Sequence, residues 1–131
     1  MVDIAKSGTP NMCSQRPEQT HQFGFLKAGE AIAAGDACYI ASTGRVLRSI
    51  GTTATAPAKC DGFASEAVAI GEAVTLYFDV EFRYGAGLTP GTRFFVGAAA
   101  GALADAATAG GTAPVAFAID TTRIRVFQSR Y

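Results

Sequence analysis

The sequence predicts a mainly β fold: a small barrel-like or sandwich-like domain with at most a short helix, preceded by an extended N-terminal arm. Three observations predict it. Over residues 73–84 the apolar side chains Val74, Leu76, Phe78, Val80, Phe82 and Tyr84 take every second position, with Thr75, Tyr77, Asp79, Glu81 and Arg83 between them. A pleated strand sorts that pattern into one apolar and one mostly polar face, whereas a helix scatters both sets around its circumference. Second, 15 glycines and 5 prolines break 131 residues into short runs, which suits closely spaced turns. Third, 49% apolar against 17% charged residues places the chain among compact domains rather than disordered chains or coiled coils.

Taken in order, residues 1–22 carry isolated apolar side chains without a period, with Pro10 and Pro17 breaking any helix. They are read as an extended arm, either a plain disordered terminus or a segment that orders on a partner. Its deletion is expected to leave the remaining domain, 23–131, folded. Phe23 and Phe25 open that domain, and a short strand over 26–28 leads to a turn at Gly29 and Glu30. Residues 37–41 read as a strand, turned at Ser42-Thr43-Gly44 into a return strand over 45–47. A Thr/Ala/Pro loop over 51–58 and the turn Asp61-Gly62 lead to a short strand over 63–66. The run 73–84 exceeds the usual strand of about 5–6 residues, so it either bends near Asp79 or is two strands meeting there. Further strands are read at 93–96, 115–119 and 123–127, the last two joined by a turn at Asp120-Thr121-Thr122. The Ala-rich stretch 103–109, closed by Gly110 and Gly111, reads as a short helix.

An internal repeat runs through these elements. Gly35, Tyr39-Ile40, Gly44 and Thr55-Ala56-Pro57 recur as Gly91, Phe95-Val96, Gly101 and Thr112-Ala113-Pro114. If structural, it describes two similar β modules on one core.

Eleven basic and eleven acidic residues cancel, so net charge gives no reason to expect nucleic acid, an anionic membrane or a strongly charged substrate. No run approaches a membrane span, and residues 1–10 show no apolar signal region. Cys13, Cys38 and Cys60 cannot all pair within the chain, contain no C-x-x-C, and sit with a single histidine, His21. They read as reduced thiols of a protein assembled inside a cell, and neither a metal nor a cofactor is expected.

Catalytic motifs are scarce. Asp79 and Glu81, two apart on one strand, would share a face with Cα atoms roughly 6.6–7 Å apart, within reach of acid–base work on a glycoside. The simpler account is the solvent face of an amphipathic strand balanced by Arg83. No G-x-S-x-G, H-E-x-x-H or P-loop occurs, and Gly85-Ala86-Gly87 precedes a Thr-Pro-Gly turn rather than a helix. An enzyme is therefore not expected, and a carbohydrate-binding or carbohydrate-active β domain, or a tail or fibre module, stands as the alternative.

The run TLYFDVEFRY over 75–84, the two Thr-Ala-Pro loops, and TAPVAFA over 112–118 followed by RIRV over 123–126 resemble the small head-decoration proteins of lambda-like tailed bacteriophages. The glycine-acidic rhythm of AGEAIAAGDACYIASTGRV, 28–46, is similar to related capsid cement proteins. The resemblance implies a β-rich homotrimer on the outer surface of the virion capsid, with the major capsid protein as partner and an N-terminal arm touching neighbouring coat subunits. On that implication Arg16, Glu18 and His21 would make polar capsid contacts, and Phe23 and Phe25 would anchor the root of the arm. The wording of this arm, with Cys13 in it, differs from the lambda type.

Overall fold

The computed structural model describes residues 3–13, 22–52 and 55–129. Among these residues eleven strands form two antiparallel sheets: β1 Asn11–Met12, β2 Gln22–Lys27, β3 Ala37–Ile40, β4 Val46–Arg48, β5 Gly62–Ala64, β6 Ala73–Tyr77, β7 Val80–Arg83, β8 Arg93–Val96, β9 Leu103–Ala104, β10 Ala116–Ala118 and β11 Arg123–Val126. The first sheet runs β2-β6-β5-β3-β4 and the second β1-β7-β11-β10-β8-β9. Among the described residues neither closes into a barrel, so the barrel form of the expectation gives way to two open sheets.

The long alternating run is two strands meeting at a sharp bend. Phe78 and Asp79 separate β6 from β7, and Asp79 sits at φ 56. That left-handed backbone costs most residues about 1–2 kcal/mol, and aspartate tolerates it better than β-branched or bulky residues. The bend carries the chain from the first sheet to the second without losing parity. Val74, Leu76, Phe78, Val80, Phe82 and Tyr84 are all buried on both sides of it.

The internal repeat is structural. Taken without β1, each sheet contains five successive strands paired in the same order, first-fifth-fourth-second-third. The registers match residue by residue. Ala37 pairs with Phe63, Phe63 with Tyr77 and Tyr77 with Gln22; in the second sheet Arg93 pairs with Phe117, Phe117 with Arg125 and Arg125 with Glu81. Leu76 and Phe23 in the first sheet thus correspond to Ile124 and Phe82 in the second. Gly35 and Gly91 turn the chain into the second strand of each module at φ 82 and 86, a conformation that glycine adopts without strain.

Two cores result. One gathers Phe82, Phe94, Val96, Leu103, Val115, Ile124 and Val126 of the second module against Ala37, Phe63 and Tyr77 of the first. The other lies on the far side of the first sheet, around Ala28, Ile32, Cys38, Val46, Ala64, Val74 and Leu76. The first sheet is therefore covered on both faces, which is why all three residues of β5 are buried.

Residues 3–13, inside the segment read as an arm, pair with the second module and also touch the turn at Gly35 and Asp36 that leads into β3. Asn11 and Met12 pair with Arg83 and Phe82, the Cys13 N–H donates to the Glu81 carbonyl at 2.8 Å, and the Ile4 N–H donates to the Leu103 carbonyl at 2.8 Å. Lys6 forms an ion pair with the buried Asp36. Pro10 is buried beside Gly35, where an added Cβ would meet the proline ring at 2.7 Å. Polar composition hid this because the segment's stability comes from an edge and a core supplied by strands far along the chain.

The helix read over 103–109 is not formed. Leu103 and Ala104 pair with Val96 and Phe95, and the Thr108 hydroxyl donates to the Val96 carbonyl at 2.9 Å. Long-range pairing thus overrides an Ala-rich tract too short to be helical by itself. Among the described residues, helical structure is limited to the 3-10 turn Ala56–Ala58.

Candidate functional site

Two of the five residues proposed from sequence, Phe23 and Phe25, come together on β2; Arg16, Glu18 and His21 lie outside the described residues. β2 is the outer strand of the first sheet and pairs with β6 on one side. Its register slips between Phe23 and Leu26, placing one extra residue opposite β6. This bulge holds Phe25 at φ 61 and turns its ring fully into solvent.

Such backbone is unusual for a bulky aromatic and costs of order 1–3 kcal/mol, while the exposed ring contributes no burial to offset it. Bulges re-aim side chains and are enriched at sheet edges, and residues held in sparsely populated backbone conformations cluster at functional sites. Beside the ring lies an open pocket of about 340 Å³ lined by Gln22, Gly24, Phe25 and Thr75, none of them charged. Phe23 rests on Phe78 with ring centroids 5.0 Å apart.

Asp79 and Glu81 do not form the shared strand face expected of them. Asp79 is in the bend, outside both strands, and its backbone carbonyl accepts from Arg125 at 3.0 Å. Glu81 is on β7 and bonds Arg123 at 3.1 Å. Arg123 also meets Asp120 at 2.7 Å, so Glu81 belongs to a surface charge network.

That network marks a second exposed feature, which composition alone did not show. The outward row Arg93, Phe117, Arg125 and Glu81 crosses four strands, and Phe117 faces Phe127 with centroids 6.2 Å apart. Whole-chain neutrality conceals this local mixture, because the register that assembles it joins residues from four separate strands.

The thiols are free. Burial pushes Cys38 well above the ordinary thiol range and Cys60 up to about 12. Cys13, half-buried, is raised less, by burial and by the neighbouring Glu81 carboxylate. All three are thus held as protonated thiols near neutral pH, unlike activated nucleophiles. Among the described residues, no cluster of three or more His, Cys, Asp or Glu side chains is placed to hold a metal, and no helix is long and apolar enough to cross a membrane.

Comparison of the chain with protein-family models, curated proteins and solved structures gives no significant match.

Proposed function

We propose that this chain is a non-enzymatic decoration protein of a tailed-phage capsid, attached to the outer surface of the shell and bridging coat subunits. The observation that carries the reading is Phe25, a solvent-exposed aromatic in left-handed backbone at the outer strand of a sheet. Its strain is offset if the ring is buried on a partner, and aromatic anchors dominate the energetics of protein interfaces. The sequence resemblance supplies the kind of partner, the major capsid protein.

In this account the two-module domain acts as a clamp. Each attached copy spans neighbouring coat subunits, so separating them requires breaking its contacts as well as theirs. Added contacts of this kind oppose the outward pressure of packaged DNA. Association as a homotrimer multiplies the attachment points, and linked weak contacts gain from high effective concentration.

The test is sedimentation of the protein with expanded, undecorated heads. Wild-type protein is expected to pellet with the heads and to raise the temperature at which they break. Phe25→Ala is expected to bind at least tenfold more weakly, by analogy with aromatic interface anchors whose loss costs about 2 kcal/mol or more. Native mass spectrometry and light scattering test the trimer. Failure of the wild-type protein to pellet, together with binding in a glycan screen, would replace this reading with a carbohydrate-binding one.

A further inference from the structure

The two modules differ at one edge: among the described residues the first has no counterpart of β1. In the second module, β1 lies along the outer edge of β7: Asn11 is opposite Arg83, Met12 opposite Phe82, and the Cys13 N–H reaches the Glu81 carbonyl at 2.8 Å. The matching strand of the first module is β2, where Gln22 corresponds to Glu81, Phe23 to Phe82 and Gly24 to Arg83. Among the described residues, nothing pairs with this edge of β2.

The consequences appear in the side chains. Phe82, opposite Met12, has 0% exposure, whereas its counterpart Phe23 has 37%. The pocket lined by Gln22, Gly24, Phe25 and Thr75 opens over β2 and β6 beside this edge. A Cβ built on Gly24 meets nothing within 4 Å, so space beside the backbone is open there.

From this we infer that the edge of β2 over Gln22, Phe23 and Gly24 is a receptor for an extended segment of a partner protein, which completes the first sheet as β1 completes the second. The inference rests on the capsid-decoration reading for the partner's identity, a coat-subunit segment, but the slot is defined by the module repeat alone. Glu81 turns its carbonyl toward β1, so by equivalence Gln22 turns its carbonyl outward, and Gly24, two residues on, shares that side.

The chemistry of the occupant follows. It is at least three residues long, antiparallel to β2, and donates a backbone N–H to the Gln22 carbonyl. Its central side chain is apolar, taking the role over Phe23 that Met12 takes over Phe82. Its flanking residues are uncharged, because the slot lining is uncharged. Addition of a strand to an exposed edge draws affinity from main-chain bonds and specificity from alternate side chains.

A second copy of this chain is a poorer occupant. Its own residues 11–13 are already engaged on its β7.

Two measurements test this on the full chain. The first uses ¹⁵N-labelled protein titrated with capped TPNMC, the chain's own 9–13 segment, and with the same peptide carrying Leu, Phe or Asp in place of Met. The expected result is saturable shifts at Gln22, Phe23, Gly24 and Thr75 with Met, Leu or Phe, and at least tenfold weaker binding with Asp. The inference is overturned if none of the apolar peptides perturbs that edge at millimolar concentration. Strong protection of the Gly24 amide from exchange in the free protein would overturn it as well, because the slot would already be filled from within the chain.

The second measurement compares Gly24→Pro and Gly24→Ala for attachment to expanded heads, with circular dichroism confirming that each is folded. Proline removes the outward N–H and is expected to weaken attachment at least tenfold, while alanine changes it less than threefold. If proline disturbs folding, the titration decides alone. Heads that bind neither wild type nor variant, with intact peptide binding at β2, refute the capsid reading and leave the slot standing. Heads that bind both equally, with no peptide binding, refute the slot and leave the capsid reading standing.

Discussion

Phe82→Ala and Phe23→Ala remove the same ring from equivalent positions of the two modules, and the account predicts different costs. Phe82 is fully buried in the larger core, with its ring 6.1 Å from that of Phe63. Its removal deletes a complete transfer term and leaves a cavity walled by both sheets, for a loss of about 3–5 kcal/mol. Phe23 is 37% exposed, so part of its ring is already in water and its removal opens a site connected to solvent. What it loses is mainly partial burial and the contact with Phe78, together about 1–2.5 kcal/mol. The difference of at least 1 kcal/mol is measurable by urea unfolding followed by circular dichroism, provided the slope of the transition is unchanged between variants. Equal losses, or a larger loss for Phe23, would refute the claim that β1 covers the second module where nothing among the described residues covers the first.

Other outcomes follow from the same geometry. Asp79→Gly is expected to be neutral or stabilising by up to about 1 kcal/mol, and Asp79→Val destabilising by about 1 kcal/mol or more, because the residue sits at φ 56; thermal unfolding checks both. Asp120 accepts the Thr122 N–H, then the Arg123 side chain and N–H, which holds its carboxyl well below the usual carboxylate range. A carboxyl lowered on folding contributes its stability above the unfolded value of about 3.9 and loses it as pH falls below that value. Wild type should therefore lose its margin over Asp120→Asn between about pH 5 and pH 2, and a pH-independent margin would count against this role. In the native protein at pH 8 a thiol reagent should leave Cys38 and Cys60 unmodified and label Cys13 first, with all three labelled in denaturant; rapid native labelling of Cys38 would contradict its burial. Deleting residues 1–22 removes β1 and the Lys6–Asp36 ion pair, so melting is expected to fall rather than stay unchanged. Replacing Arg16, Glu18 and His21 with alanine tests capsid contacts without stripping β1, and sedimentation with heads reads the result.

The alternation over 73–84 was legible because buried faces repeat every second residue, and the break at Asp79 was legible because the run was too long. Which sheet each half joins was not, since both inner faces accept the same parity. The module repeat was visible in Gly35, Gly91 and the two Thr-Ala-Pro words, which mark turns whose geometry restricts residue choice. β1 was invisible: Asn11 and Met12 have no strand pattern of their own, and their pairing depends on β7, some seventy residues later. Phe25 was legible as an aromatic residue at the start of the domain. Its left-handed backbone was not, because the bulge arises from registering Phe23 on Leu76 and Leu26 on Val74 at once. The Ala-rich tract after Leu103 misled because local propensity is weak beside a ladder with Val96 and a Thr108 hydroxyl bond.

The central claim is tested most directly by a density map of expanded, undecorated phage heads incubated with the protein. The account predicts two-module copies on the outer surface of the shell, arranged as trimers, with Phe25 buried and an extended coat segment paired along Gln22, Phe23 and Gly24. Bare shells at saturating protein, or attached copies whose β2 edge and Phe25 ring remain in solvent, would contradict it.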